Sequence, residues 1–268
     1  MKIFNQMNTL LKFITVGLGL SFLISCDDNL IEKPEPNTDI VGITQVALDA
    51  NKVVIRGEEA LLGNVVADAM LYYADQNGID VDVALANGGG IRFTSSSHPD
   101  GIYPAGNLTV QDISEILPFG GGSVVLTMTG AELMSTLERG VFGLPIPEGD
   151  SGAGAFLQVS STLEIDVNLQ NPAQVLGTDE NDDDIIVSEG TRITFAKVKG
   201  QTLDLNGTYK VMTGGFPASG GDGFVTMGSI ADSLKMDIEE EADEILRQYV
   251  EANSPIAPTI EGRIEVFE

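Results

Sequence analysis

From about residue 40 onward the sequence predicts a mixed α and β fold, and two observations carry that expectation. Short runs alternate apolar and polar residues, as half-buried strands do. Between them lie longer runs in which apolar residues recur every three or four positions, as they do on one face of a helix. No stretch repeats another at a fixed period, and the roughly 240 residues beyond a removable leader suit one large domain or two small ones.

Residues 40–48 (IVGITQVAL) alternate enough for a strand. Leu61, Leu62, Val65, Val66, Ala69, Met70 and Tyr73 then recur at helical spacing, and Gly78 ends that helix. Val81, Val83 and Leu85 alternate in a short strand that runs straight into Asn87-Gly88-Gly89-Gly90. Thr109 and Asp112 have capping-box spacing ahead of Ile113, Ile116 and Leu117, which predicts a short helix stopped by Pro118. A strand over 124–129, an amphipathic helix over 131–139 and one or two strands within 156–167 follow. Strands are expected again at 192–198 and 208–213, then a helix over about 239–253 and a closing strand at 263–267. The acidic stretch 178–184 (TDENDDD) interrupts the β region and is most simply a solvated hairpin loop. Asp179, Asn181 and Asp183 alternate as in an EF-hand loop, but Asp184 replaces the sixth-position glycine and Gly190 the twelfth-position glutamate. The bidentate ligand is missing, which leaves weak divalent-ion binding as the alternative to a plain solvated loop.

Composition excludes several function classes. Forty acidic residues stand against 14 basic ones, a net charge of −26, and such a surface repels phosphate backbones and anionic headgroups. Nucleic-acid polymers are therefore not expected partners. The chain owns one histidine, His98, and one cysteine, Cys26. Zinc sites, histidine-rich dinuclear sites and Cys/His catalysis all need more of these side chains, and a disulfide within the chain is impossible. His98 lies in a Ser/Pro/Asp-rich loop and is expected to be an exposed loop residue rather than a metal ligand.

The first 25 residues read as an export signal. Lys2 and Lys12 precede the apolar run 13–24, which is too short to span a bilayer of ~30 Å comfortably. Leu23-Ile24-Ser25-Cys26 resembles the bacterial lipoprotein cleavage box, which implies lipidation of Cys26; an ordinary signal peptide with a stray cysteine is the alternative. Residues 26–39, acidic and broken by Pro34 and Pro36, are expected to form an extended tether to a domain over 40–268. The protein is thus expected to be exported and lipid-anchored to the cell envelope, at the outer membrane, on its periplasmic face or at the cell surface.

Three glycine clusters stand out. Asn87-Gly88-Gly89-Gly90-Ile91-Arg92 brings bare backbone, at Gly89 for example, between an amide and a guanidinium. It lacks the spacing of a dinucleotide fingerprint or a phosphate loop, and by itself reads as a tight turn with a surface arginine. Pro118-Phe119-Gly120-Gly121-Gly122 sets an aromatic ring in a loop. The run 214–224 (GGFPASGGDGF) sets another, Phe216, and holds Asp222 between glycines. Each phenylalanine in isolation reads as a core plug.

In this order, NGGGIR, LPFGG and FPASGGDGF resemble the hallmark motifs of 5′-nucleotidase C-terminal domains. LLGNVVADAM at 61–70, FLQVS at 156–160, TYKV at 208–211 and the final EGRIEVF support the match, which reaches from about residue 41 to the end. The resemblance implies a single α+β domain with a mixed sheet flanked by helices. It implies that Phe119 and Phe216 sandwich a base, Asp222 accepts from ribose hydroxyls, Arg92 binds substrate oxygens, and Asn87 contacts the base or holds the loop. Arg56 could supply a second guanidinium, although it stands a residue or two farther from Gly63 than the family pattern suggests. Where many bacterial members have asparagine after the first glycine of LPFGG, this chain has Gly121. Two rings around a base tolerate its identity, since every base has a π face and stacking is worth ~1–3 kcal/mol.

In that family a separate metallophosphatase domain of several histidines and aspartates holds the catalytic metals. The implied partners are therefore a nucleotide or nucleoside, a separately encoded metallophosphatase carrying the divalent metals, and a membrane through the lipid anchor; no cofactor is expected in this chain itself. A non-catalytic nucleotide-capture lipoprotein and a structural or adhesive surface module are the competing classes.

Overall fold

The computed structural model describes residues 37–268. The leader, Cys26 and the tether up to residue 36 lie outside the described residues. The first half of the fold runs β1 (Ile40–Thr44), β2 (Leu48–Asp49), α1 (Lys52–Ile55), α2 (Leu61–Gln76), β3 (Val83–Asn87), β4 (Ile102–Tyr103), β5 (Gly106–Thr109), α3 (Val110–Ile116), β6 (Gly122–Thr129) and α4 (Gly130–Val141). The second half runs β7 (Leu157–Val159), β8 (Leu163–Asn168), β9 (Val175–Thr178), β10 (Asp184–Ser188), β11 (Ile193–Val198), β12 (Gln201–Thr202), β13 (Thr208–Gly214), α5 (Gly215–Ala218), α6 (Val225–Ser229), β14 (Lys235–Glu241), α7 (Ala242–Asn253) and β15 (Ile264–Phe267).

A mixed five-stranded sheet, in the order β14-β6-β13-β3-β7, divides the domain. Successive side chains of a strand point to opposite faces, so each central strand feeds two cores. Val83 and Leu85 of β3, Leu126 and Met128 of β6 and Val211 of β13 pack with α4 and with β8, β11 and β15 of a four-stranded sheet. Their neighbours Ala84, Ala86, Val125 and Met212 pack instead under α2, α3 and α7. Both faces of the sheet are covered, which makes this a single α+β domain with a mixed sheet between helices. Thr109 and Asp112 close the expected capping box on α3, with Asp112 N–H donating to the Thr109 hydroxyl at 3.2 Å and Thr109 N–H to the Asp112 carboxylate at 2.8 Å.

Three local expectations are corrected. Residues 40–48 form two strands rather than one, because the buried Thr44 hydroxyl donates to the Val46 carbonyl at 2.7 Å and turns the chain. β1 then pairs with β5, and β2 with β4. The helix expected from about residue 239 begins at Ala242, because 235–241 pair as an edge strand along β6. His98 is not an exposed loop residue: its side chain is 13% exposed, 3.5 Å from the Asp112 carboxylate and 3.6 Å from that of Glu115. The loop folds back against α3 and lays the imidazole on Tyr103, 4.1 Å between ring centroids.

The acidic loop is the tip of the β9–β10 hairpin. The Asp179 carboxylate accepts from the N–H groups of Asn181 (2.7 Å) and Asp183 (3.1 Å), and these two bonds hold it below the usual carboxylate range. Among the described residues no group of three His, Cys, Asp or Glu side chains is placed to hold a metal ion.

Candidate ligand-binding site

One end of the five-stranded sheet gathers the glycine clusters. β3 and β13 are parallel and end side by side, at Asn87 and Gly214. β6 runs the other way and so begins there, with Ser123 opposite Gly214. β7 starts opposite Asn87, and β14 ends with Glu241 opposite Gly122. Strand direction alone therefore brings NGGG, PFGGG, GGFP and the Gly154 segment to one rim. They enclose a cavity of about 660 Å³, a volume suited to a small organic ligand, for which ~300–1,000 Å³ is usual.

Arg56, Asn87, Gly89, Arg92, Phe119, Phe216 and Asp222, the residues singled out from the sequence, all line this cavity. Phe119 is 69% exposed and Phe216 61%, so neither is a core plug. The two rings do not stack on each other; the aromatic pairs among the described residues lie elsewhere. The Arg92 guanidinium sits 5.1 Å from the Phe119 ring centroid, within cation–π range. Phe216 rests over the bare backbone of Gly221, where a Cβ would lie 2.4 Å from its ring.

Asp222 is held from several sides. Asn87 Nδ2 donates to Asp222 Oδ2 at 3.0 Å, which gives Asn87 the loop-holding role. Gly89 makes room for that contact: its N–H donates to the Gly154 carbonyl at 2.7 Å, and a Cβ there would stand 2.9 Å from Asn87 Nδ2 and 3.0 Å from Asp222 Oδ2. The Asp222 backbone is left-handed (φ 56°), and its carbonyl accepts from Arg139.

The two cleft arginines have no carboxylate partner within ion-pair distance among the described residues. Arg92 Nη1 reaches only the carbonyls of Ile91 (3.2 Å) and Gly88 (3.4 Å). Burial first, and then the charge of Arg56, pulls the Arg92 guanidinium below its ordinary value, against an opposing effect of Asp222. Arg56 Nη1 donates to the Gly152 carbonyl at 3.0 Å, while its buried Nε has no partner. In a chain of net charge −26, the cleft thus concentrates two cations with donors to spare. Such forks match carboxylate or phosphate oxygens.

Three supports were not readable as such from the sequence. Gln158, fully buried, donates to the carbonyls of Ile55 (2.9 Å) and Glu58 (2.8 Å) and accepts from Ala60 N–H (3.1 Å), fixing the loop that carries Arg56. Glu241 accepts from Gly121 N–H and ties the Phe119 loop to the start of α7. Arg139 holds Asp222. The signal that could have found them is pairing across the fold, which one sequence does not carry.

The fold sets two exposed rings, two arginines and a fixed carboxylate around one cavity. The chain belongs to the family described as 5′-nucleotidase, C-terminal domain, which it matches over residues 40–229. It is 30% identical over 244 residues to the trifunctional nucleotide phosphoesterase protein YfkN of Bacillus subtilis, covering 88% of this chain and 14% of that protein. It is 28% identical over 237 residues to the snake venom 5′-nucleotidase of Macrovipera lebetinus, covering 85% of this chain and 52% of the relative. The crystal structure of a 5′-nucleotidase precursor from Thermus thermophilus superposes with a TM-score of 0.69 at 32% identity, over 85% of this chain and 39% of that one. The chain spans at most about half the length of these relatives.

Proposed function

We propose that the cleft binds nucleosides or nucleotides and that the chain is the recognition half of a 5′-nucleotidase. The reading rests on one observation above all: two exposed phenylalanines line one cavity together with Arg56, Arg92 and Asp222. A base between Phe119 and Phe216 gains stacking energy whatever its identity. Asp222 Oδ1 makes no hydrogen bond to the protein among the described residues, so it is available to ribose hydroxyls. Arg92 and Arg56 line the same cavity, bonded only to backbone carbonyls, and their remaining N–H groups would take phosphate oxygens.

The metal ions that would activate water for ester hydrolysis do not fit residues 37–268, which offer no ligand cluster. A base-and-sugar site alone holds ground and transition states equally and accelerates nothing. Presented beside a metal centre, it orients the ester, and orientation is worth several kcal/mol. The chain would therefore act with a separately encoded metallophosphatase, held at the cell envelope through acyl chains on Cys26.

Calorimetric titration with adenosine, AMP and UDP-glucose tests the binding reading. Micromolar or tighter binding of at least one, lost in a Phe119→Ala/Phe216→Ala double variant, is expected. Absence of binding by all three, or binding that survives the double variant, sinks it. The chain alone with Mg²⁺, Mn²⁺, Co²⁺ or Zn²⁺ is expected to leave AMP intact, and to lower the KM of a matched metallophosphatase when added. Metal-dependent turnover by this chain alone would refute the split-enzyme account.

A further inference from the structure

A left-handed backbone at a non-glycine residue persists only where its surroundings fix it, and Asp222 has φ 56° and ψ 18°. What fixes it is Arg139, in the last turn of α4, whose Nε and Nη2 both donate to the Asp222 carbonyl, at 2.9 and 2.7 Å. The guanidinium lies 3.8 Å from the ring centroid of Phe142, which sets its plane. No carboxylate lies within ion-pair distance of it among the described residues, so both forward donors of its fork are spent on one carbonyl. Gly223 completes the arrangement. Its φ is +78°, and a Cβ there would stand 2.5 Å from Arg139 Nη2, so the guanidinium fills the space a side chain would need.

Arg139 does not line the cavity, so its removal subtracts no ligand contact directly. Its effect on a ligand must pass through the turn it clamps. We propose that Arg139 is the positioning residue for sugar recognition: by fixing the Asp222 carbonyl from behind, it aims the carboxylate so that Asn87 occupies one oxygen and the other stays open to a ligand hydroxyl. The proposal rests on the nucleoside reading of the cleft.

The test titrates adenosine and 2′,3′-dideoxyadenosine into the full chain, into Asp222→Asn, Arg139→Lys, Arg139→Met and the Asp222→Asn/Arg139→Met double variant, with thermal unfolding recorded for each. The wild type is expected to prefer adenosine, and Asp222→Asn to lose much of that preference. Arg139→Met should weaken adenosine binding about tenfold, the size of one lost hydrogen bond to a charged group, while leaving the dideoxy ligand unchanged. Arg139→Lys keeps the charge but not the fork and should fall between, which keeps the question answerable if the methionine variant unfolds. In the double variant the two losses should not add, since both act through one carboxylate. Equal losses for both ligands, unchanged preference in a folded Arg139→Lys, or additive losses would overturn the role of Arg139. If instead the wild type shows no preference, or Asp222→Asn leaves it intact, the reading of Asp222 as the sugar acceptor fails first and carries this proposal with it.

Discussion

Arg263, at the entry to β15, and the pair Arg56 and Arg92, at the cleft, are arginines used in opposite ways. Arg263 is 4% exposed and saturated: Asp68 takes Nη1 and Nη2 at 3.0 and 2.7 Å, Glu261 takes Nε at 2.9 Å, and the Val159 carbonyl accepts at 3.0 Å. Even its backbone N–H is engaged, by the buried carboxylate of Glu59 at 2.7 Å. Arg56 and Arg92 meet only backbone carbonyls, sit close enough to repel, and leave donors unused. The contrast shows how a structure separates scaffold from site. Arg263 has its hydrogen bonds complete and ties distant segments together, whereas Arg56 and Arg92 keep donors that the proposed ligand would take up.

Removing Arg263 should have the largest effect. Arg263→Met takes the donors from Asp68 and from the Val159 carbonyl and should cost about 3 kcal/mol of stability, the low end for breaking a buried pair because Asp68 keeps some contact with water, read from urea unfolding. A change below ~1 kcal/mol would erase the distinction between the two kinds of arginine. Next come the rings. Phe119→Ala and Phe216→Ala should each weaken nucleoside binding by ~1–3 kcal/mol while leaving unfolding midpoints in place, since both side chains are already exposed. An early-unfolding variant would move that ring from the site to the core.

Arg92→Met should weaken AMP more than adenosine, by ~1.5 kcal/mol, without destabilising the fold, because it also relieves the repulsion with Arg56. Equal losses for the two ligands would remove phosphate from its role. The smallest effect belongs to a fourth arginine, Arg247, on the surface of α7. Its bond to Glu244 is the first cause holding that carboxylate below its ordinary value of 4.5. A depressed carboxylate contributes stability above its unfolded value and loses it as pH falls through the folded one. The contribution is present at neutral pH, fades below about pH 4.5, and with both side chains about a third exposed should amount to no more than ~0.5 kcal/mol. Arg247→Ala should flatten that small acid-side slope, and a larger change would show that surface pairs matter here more than their exposure allows.

That these residues would come together around one cavity was legible in the sequence because each sits inside a short motif: Arg92 behind NGGG, Phe119 before three glycines, Phe216 and Asp222 within one eleven-residue run. The hardware behind them was not. Arg139 stands 83 residues from the carbonyl it clamps and looks like any basic residue in a last helical turn. Gln158 reads as an ordinary strand glutamine, although its amide organises a loop about 100 residues away. The strand 235–241 (KMDIEEE) buries only Ile238, so its hydropathy pattern is one residue deep; the open edge of β6, not local propensity, makes it a strand. The His98 loop misled for a similar reason, since its polar composition gives no hint of the two carboxylates on α3 that it folds against.

The segments that meet at the cleft are drawn from positions as far apart as Arg56 and Leu246, and no contiguous segment contains a working fraction of the lining. Opening the five-stranded sheet at any point disperses the contacts together. By thermodynamic linkage, a ligand that binds only the assembled rim must stabilise the whole sheet, by ~2.7 kcal/mol at a free concentration a hundred times its Kd. Occupancy of this corner of the molecule is therefore reported by its global melting temperature, and a library of unlabelled nucleosides can be ranked by thermal shift without an enzymatic assay.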